Sequence, residues 1–522
     1  MHSESLPRLK APRDHGAILA HPPLIEVGSL LAANAARLAA TNVALQGRPI
    51  HDLRRLAHTE AIAAARAYLS ETGEPVPDFT GDAIIHAGHQ PELFHPGVWI
   101  KNFALQSLAT QHRAMPLNLV IDNDAVKATA LRVPHDTQLA KVQFDSWQND
   151  APCEDRVVQD EELFASLPSR VEPLVRDWPF RPLLFTWWPE VLRQRRRTPL
   201  LGERLAAGRR SLERAWGRQP FEVPLSRVCD TEVFAWFVVH VLRELPRFHA
   251  DYNAAVRGYR QRHGLRSPMH PAPDLAQEGL WLEAPFWAWR RGEPRRQRLW
   301  AKSTGNNIEL RAGATLWPTL QGNVIRQVEQ WRLLIAAGHK FRTRALTTTL
   351  FGRLLLGDLF VHGIGGGKYD EVTDELFRQF FGLEAPAYLV LTATLQLPLA
   401  KFPTAHDDYL HSQRLERDVF WNPQRHLDGQ AGDGVSSLIR EKENWIRHAC
   451  ANHDDRKHRF TELRRINEEL HALAGVDQTR IHQALADAER RMRLHELHSS
   501  REYAFCLFPE EMLRDFYQRT LE

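Results

Sequence analysis

At 522 residues, with 43% hydrophobic and 25% charged side chains, the chain is long enough for about two to four domains and has the composition of an ordinary globular protein. A net charge of +3 excludes a chain that binds polyanions as a whole, and no apolar run approaches the roughly 18 to 20 residues of a membrane span. The cysteines Cys153, Cys229, Cys450 and Cys506 lie far apart with no CxxC pair, which argues against a disulfide framework or a zinc ribbon and fits reduced thiols in a cytoplasmic setting.

Met1 to Arg13 is polar and proline-rich, without the basic-then-apolar pattern of a signal peptide. Residues 1–80 read as a helical N-terminal segment: Ile25 to Leu45 is rich in Ala and Leu, and Leu53, Leu56, Ile62, Ala65 and Leu69 repeat at helical spacing. Gly73, Pro75 and Pro77 then break the helix.

The chain is organised around residues 82–101. Ala83 to Ile85 reads as a short buried strand, a turn carrying His86, His89 and His95 follows, and Val98, Ile100, Phe103, Ala104 and Leu108 form the apolar stripe of a helix. Pro96 suits the first helical position, where its missing N–H costs nothing. Such a strand, turn and helix is where an open α/β sheet presents chemistry, because the helix N-terminus offers unpaired N–H groups to an anion. His86-Ala87-Gly88-His89 is a literal His-x-Gly-His string of the nucleotidyltransferase kind, whereas His95-Pro96-Gly97-Val98 matches it less well in letters and better in place. No acidic or Cys ligand at recognised spacing completes a metal site here, and none is expected.

Met115 to Ile121 reads as a second strand ending in Asp122-Asn123-Asp124, so 81–140 forms a βαβ unit with parallel pairing. Carboxylates at that tip either point into the crevice or cap the turn. From 141 to 270 the rhythm is lost, and the stretch reads as a helical insert with a basic run at Arg193, Arg195, Arg196, Arg197, Arg209, Arg210 and Arg214. Without interleaved glycines or an exposed aromatic set, a solvated helix face is favoured there over nucleic acid.

Leu280 to Trp289 and Arg298 to Lys302 flank a Gly-Glu-Pro turn and read as a β-hairpin. Leu359 to His362 is a strand running into Gly363, Gly365, Gly366 and Gly367, with Tyr369 next and a helix from Asp370 to Phe381; glycines there leave backbone N–H groups bare, as an anion-binding nest requires. The string is neither a P-loop nor a GxGxxG fingerprint. Ala387 to Leu395 is a further buried strand, closing a second half of the core over 271–402. Residues 403–522 are charged and helical; the apolar series from Leu463 to Leu473 and, after Gly475, from Ile481 to Leu494 predicts a helical hairpin or short antiparallel coiled coil, with Tyr503 to Pro509 folding back onto the core.

Together these segments resemble the bacillithiol-biosynthesis cysteine-adding enzyme family, whose turn reads roughly Thr-Gly-Gln-Gln-x-Gly-Leu-Phe-Thr-Gly-Pro. Gly88, Gln90, Leu93 and Phe94 match it, and Gly363, Gly365 and Tyr369 match the family's Gly-Gly-Pro-Gly-Glu-x-x-Tyr. Two departures stand out: Gly366 replaces the family's Glu, and Asp122-Asn123-Asp124 lacks the histidine of the family's acidic run. The resemblance implies an α/β fold with a Rossmann-like, nucleotidyltransferase-like parallel core, a C-terminal coiled coil that dimerises, and a ligase joining cysteine or another amino acid to an amino-sugar conjugate such as glucosaminyl-malate, with ATP or ADP as the nucleotide. Under it, backbone around Gly88, Gly97 and Gly363 to Gly367, with Gln90, Phe94, His362 and Tyr369, binds nucleotide or substrate. His89 and His95 handle charge or protons, Lys101 neutralises an anion, and Asp122 or Asp124 holds the amine. The competing readings are a nucleotidyltransferase acting on a sugar or lipid precursor and a non-catalytic coiled-coil relative.

Overall fold

A computed structural model describes residues 9–147, 150–427, 433–474 and 477–521. It divides into two units, the first holding the chain up to Val133, Lys141–Leu397 and the segment from Arg501, the second holding Pro134–Ala140 and Pro398–Ser500.

A six-stranded sheet forms the centre of the first unit. Its strands are β1 (Ile18–His21), β2 (Ile84–His89), β3 (Met115–Val120), β4 (Phe221–Pro224), β5 (Leu359–His362) and β6 (Leu389–Ala393), in the spatial order β1-β6-β5-β2-β3-β4. β1 runs antiparallel to β6, and the other neighbours pair in parallel. The protein is thus mixed α/β with a largely parallel sheet. Parallel strands are buried on both faces, which explains the unbroken apolar runs that mark them. Ile84, Leu117, Leu119, Phe221 and Val223 face one core together with Leu53, Ala57 and Ala61 of helix α1 (Ile50–Glu71).

Strand alternation turns Ile85 and Ala87 to the other face. Helix α2 (Pro96–His112) packs there against β2, β3 and β6. Its Trp99 and Phe103 stack into an aromatic group with Trp216, Phe505 and Tyr517, all at ring distances of 4.1–5.9 Å. Each such ring is worth about 1.5–3 kcal/mol in burial, enough to bring the segment after Ser500 back onto the first unit.

Several expectations are corrected. Within the stretch 141–270, otherwise built largely of helices, β4 extends the sheet, a four-residue strand buried on both faces and therefore without the alternation that would announce it. Residues 281–343 add a separate antiparallel sheet, with Trp281–Arg290, Glu293–Thr304, Asn307–Ala312, Thr315–Leu320 and His339–Thr343 as its main strands, instead of continuing the parallel core. Within it the expected hairpin turns at Gly292, whose φ of 84° suits glycine.

Arg209 and Arg210, on helix α3 (Leu201–Ala215), belong to no solvated face. Arg209 pairs with Glu213 at 2.7 Å and Glu222 at 2.5 Å, and Arg210 pairs with Glu74 and Glu222 at 2.6 Å, all buried. Because Trp99 Nε1 and Asn102 also donate to Glu213, this network fastens α3 to α2 and β4.

The second unit contains helices Ala405–Trp421, Asp433–Arg447, His453–Ala474 and Gln478–His498. The last two were expected to form a hairpin, but each packs chiefly on another helix: Gln478–His498 on Ala405–Trp421, and His453–Ala474 on Asp433–Arg447. Ile466 and Leu470 close a small core with Val435, while Phe460 and Leu473 of the same apolar series are exposed. The expected break at Gly475 lies outside the described residues. Among the described residues no helix is long and apolar enough to cross a membrane.

Candidate functional site

From β2 the chain crosses to β3 on one side, and from β5 it crosses to β6 on the other, so the crossovers diverge between β2 and β5. Open parallel sheets leave a crevice at such a point, beyond the carboxyl ends of the strands. A cleft of about 810 Å³ lies there, lined by Gly88 and His89 at the carboxyl end of β2, by Val361 to Gly366 from the end of β5 into the turn beyond it, and by Thr392 of β6. Two segments some 270 residues apart in the chain thus share one cavity. Lys10, Lys101, Lys127, Lys368 and Arg501 line it against the carboxylates Asp124 and Glu502, giving a basic balance.

Helix α4 spans Ile364–Phe381, with Gly363 as N-cap. It begins six residues earlier than its sequence suggests, because Val372, Leu376 and Phe377 bury its apolar face in the core and outweigh the poor helix propensity of glycine. The glycines therefore form its first turn. Among the described residues the N–H groups of Ile364, Gly365 and Gly366 meet no acceptor, whereas that of Gly367 bonds to Gly363 O. A Cβ at Gly363 or Gly365 would stand in open space, so these positions leave the backbone bare. Gly367 does not line the cleft: its carbonyl accepts from Tyr388 at 2.9 Å and a Cβ there would lie 2.5 Å from Val390. Tyr369 lines the wall, its ring edge-on to His270.

At the other lip, His95 is the N-cap of α2, its Nδ1 accepting from Gly97 N at 3.1 Å. Its Nε2 lies 3.8 Å from Glu502. The N–H of Gly97, expected to meet an anion, is thus already engaged. Gly97 is required for another reason, since a Cβ would come within 2.0 Å of Ala393 O and 2.5 Å of Arg501 Nη2. Lys101, buried one turn further on, donates from Nζ to Gly88 O at 2.9 Å, and burial pushes its pKa down to about 8. His89 holds Gln90 O at 3.1 Å through Nδ1. Burial, followed by Lys101 for His89 and by Arg501 for His95, pushes both imidazoles down to about 3, so both are neutral at physiological pH. As neutral rings they hydrogen-bond and cap, His89 to Gln90 O and His95 to Gly97 N.

The carboxylates after β3 separate. Asp124 lines the cleft, accepting from Gln90 Nε2 at 2.7 Å and from Arg296 at 3.2 Å. Asp122 turns away into a second pocket, where it accepts from the N–H and hydroxyl of Ser226 at 2.9 and 2.5 Å. It therefore does not hold a ligand amine in the cleft; burial, then Glu154, raises its pKa to about 7. Phe94 also points elsewhere, packing on Phe505 at 5.6 Å. His86 is fully buried, stacked on Phe360 at 4.4 Å, and its ring nitrogens have no hydrogen-bond partner among the described residues. The literal His-x-Gly-His string thus presents only its second histidine to the cavity.

Arg501 and Asp370 escaped sequence reasoning. Arg501 Nη2 donates to Thr392 Oγ1 at 2.8 Å, while its buried Nη1 has no hydrogen-bond partner among the described residues. Its only local signal is a place just before the apolar segment that folds back. Asp370 stands 2.8 Å from His362 Nε2. The four cysteines are free thiols, and among the described residues no group of three or more His, Cys, Asp or Glu is placed to hold a metal. No protein-family model matches the chain, and no curated protein matches it.

Proposed function

We propose that the chain is a carbon–nitrogen ligase of the cysteine-adding type, divergent in substrate, built on a Rossmann-like core. The observation that carries this reading is the convergence of the open first turn of α4 with Lys101 and Arg501 on one basic cleft at the crossover divergence. That set fits an anionic ligand such as a nucleotide phosphate or a carboxylate: the bare N–H groups donate, the helix dipole favours negative charge, and the two cations complete the neutralisation. The strand order of the five parallel strands supports the Rossmann-like assignment.

In the reaction, an amine on a conjugate such as glucosaminyl-malate attacks the acyl carbon of cysteine or another amino acid. ATP supplies the leaving group as a phosphate carried on the carboxyl oxygen of that amino acid: a C–N bond forms, the C–O bond to the phosphate breaks with its electron pair left on the phosphate, and the amine gives one proton to a base. Gln90 and Asp124 stand where they can orient the amine, and Arg501 where it can meet the leaving oxygen. Burial of His86 weakens the nucleotidyltransferase alternative, whose motif needed that side chain exposed. The free thiols fit a cytoplasmic setting, and the exposed Phe460 and Leu473 suit a coiled-coil-like dimer contact through the C-terminal helices.

The test incubates the purified protein with ATP, cysteine and glucosaminyl-malate and reads the condensed product by mass spectrometry, alongside melting with ATP or ADP. A product mass and a raised melting temperature support the proposal. Absence of both overturns it, and pyrophosphate release without condensation favours the nucleotidyltransferase.

A further inference from the structure

His362 and Asp370 form a pair that the cleft's anion chemistry does not require. His362 ends β5, is 5% exposed, and lines the cleft. Its ring is held between Phe360, at 3.9 Å, and the edge of Tyr388, at 5.1 Å, so it has little freedom to turn. Its Nε2 lies 2.8 Å from Asp370 Oδ2, two turns along the helix that starts beside it. Burial by itself would raise the Asp370 carboxyl, but Arg353, 2.9 Å away, and His362 hold it below the ordinary carboxylate range. An ionised carboxylate only accepts, so a ring proton facing it sits on Nε2, and in the singly protonated ring the lone pair is then on Nδ1.

Nδ1 has no hydrogen-bond partner among the described residues. It faces Gly366, where a Cβ would stand 2.6 Å from it, closer than packed atoms come. The glycine that replaces the expected glutamate thus makes room for the basic nitrogen. The other charged or titratable groups near the pair are Tyr388, edge-on to the His362 ring, Asp374, which binds Arg353 at 2.7 Å, Glu371, and His86, on the far side of Phe360.

We infer that His362 is the proton acceptor of the cleft and that Asp370 is the positioning residue that fixes its tautomer. The inference rests on the ligase reading for the identity of the proton donor. As the amine nitrogen bonds to the acyl carbon, its N–H bond breaks and the proton passes to Nδ1, while the leaving oxygen departs with its electron pair. Asp370 stabilises the imidazolium so formed without taking the proton, as in other carboxylate-oriented histidines. The substrate class is an amine presented beside an anion that is held by the first turn of α4.

Two measurements on the full chain separate this from the reading it rests on. Carbethoxylation by diethyl pyrocarbonate, followed against pH by peptide mass spectrometry, reports the nucleophilicity of each histidine without any reaction of the protein. The plateau rate of modification at His362 at alkaline pH should fall several-fold in Asp370→Asn, which keeps the side chain's size and removes the charge 2.8 Å from Nε2. Gly366→Ala, which leaves the Asp370–Arg353 pair intact, should slow modification at His362 alone. An unchanged plateau rate in Asp370→Asn, or, where that variant does not fold, an unchanged rate in Gly366→Ala, overturns the pair.

In the condensation assay His362→Gln should lower kcat about 10²- to 10⁴-fold with KM within a few-fold. Asp370→Asn should lower kcat and move its pH profile with KM unchanged. Wild-type turnover in His362→Gln overturns the inference and leaves the ligase standing. The expected modification pattern with no condensation by any form overturns the ligase and leaves the oriented base standing.

Discussion

His86 gives the most direct test of the packing behind the cleft. Its ring is fully buried between Phe360 and the glycines Gly352 and Gly357; a Cβ at Gly357 would stand 2.2 Å from Nδ1. Burial first, and His362 second, push its pKa from the ordinary 6.5 to about 3. Above pH 6.5 the imidazole is neutral in both folded and unfolded chains, and protonation costs the fold nothing. Between pH 6.5 and 3 the unfolded chain binds a proton that the folded one refuses, so stability is lost as pH falls through that window. Linkage puts the loss at about 2 kcal/mol between pH 7 and pH 5, and at about 4 kcal/mol by pH 3.

His86→Leu replaces the ring by an apolar side chain of similar size. It also removes two unpaired ring nitrogens, each an unsatisfied polar group that costs about 1–3 kcal/mol. The variant should therefore be more stable at pH 7 by about 2–6 kcal/mol, and the gap should widen by about 2 kcal/mol at pH 5. Urea unfolding followed by tryptophan fluorescence at both pH values measures the two differences, and subtracting variant from wild type cancels the other histidines. Equal acid sensitivity in the two proteins, or a variant weaker at pH 7, would refute the reasoning and place a polar partner at the ring.

Lys101→Met should abolish ATP-dependent stabilisation with little change in the melting of the free protein; in the wild type that stabilisation should fade between pH 7 and pH 9, as the Lys101 ammonium, with its pKa near 8, loses its charge. Titration calorimetry with ATP at those pH values checks both, and a pH-independent affinity counts against an anion held by Lys101. Glu222→Gln should destabilise by about 3–5 kcal/mol, because it leaves Arg209 and Arg210 underpaired in a buried site; a urea shift below about 1 kcal/mol would show the network to be dispensable. Asp122→Asn should leave ligand binding in the cleft unaltered. Since the folded Asp122 keeps to about pH 7 a proton that the unfolded chain sheds near 3.8, the wild type gains roughly 2–3 kcal/mol relative to the variant as pH falls from 7.5 to 5, which paired urea titrations would read.

What could be read from the chain alone follows the range of the forces involved. The strand, turn and helix over 84–112 announce themselves through neighbours within four residues: β-branched side chains, a proline at the helix start, a 3.6-residue apolar stripe. β4 has no such neighbours, since Phe221–Pro224 is four residues long and its place depends on β3 a hundred residues earlier. The same limit applies to side-chain direction. Asp122 and Asp124 are alike as letters, yet Ser226 draws one away and Gln90 and Arg296 draw the other into the cleft. Arg209 and Arg210 look like a solvated basic face until Glu74 and Glu222, both distant in the chain, bury them. At the glycine run the local and global forces oppose each other: four glycines in five residues argue for a loop, while the apolar face from Val372 to Phe377 draws the helix back to Ile364. That opposition creates the site, because a helix begun on glycines keeps its first N–H groups uncovered, and a better helix former at Gly366 would put a side chain against His362.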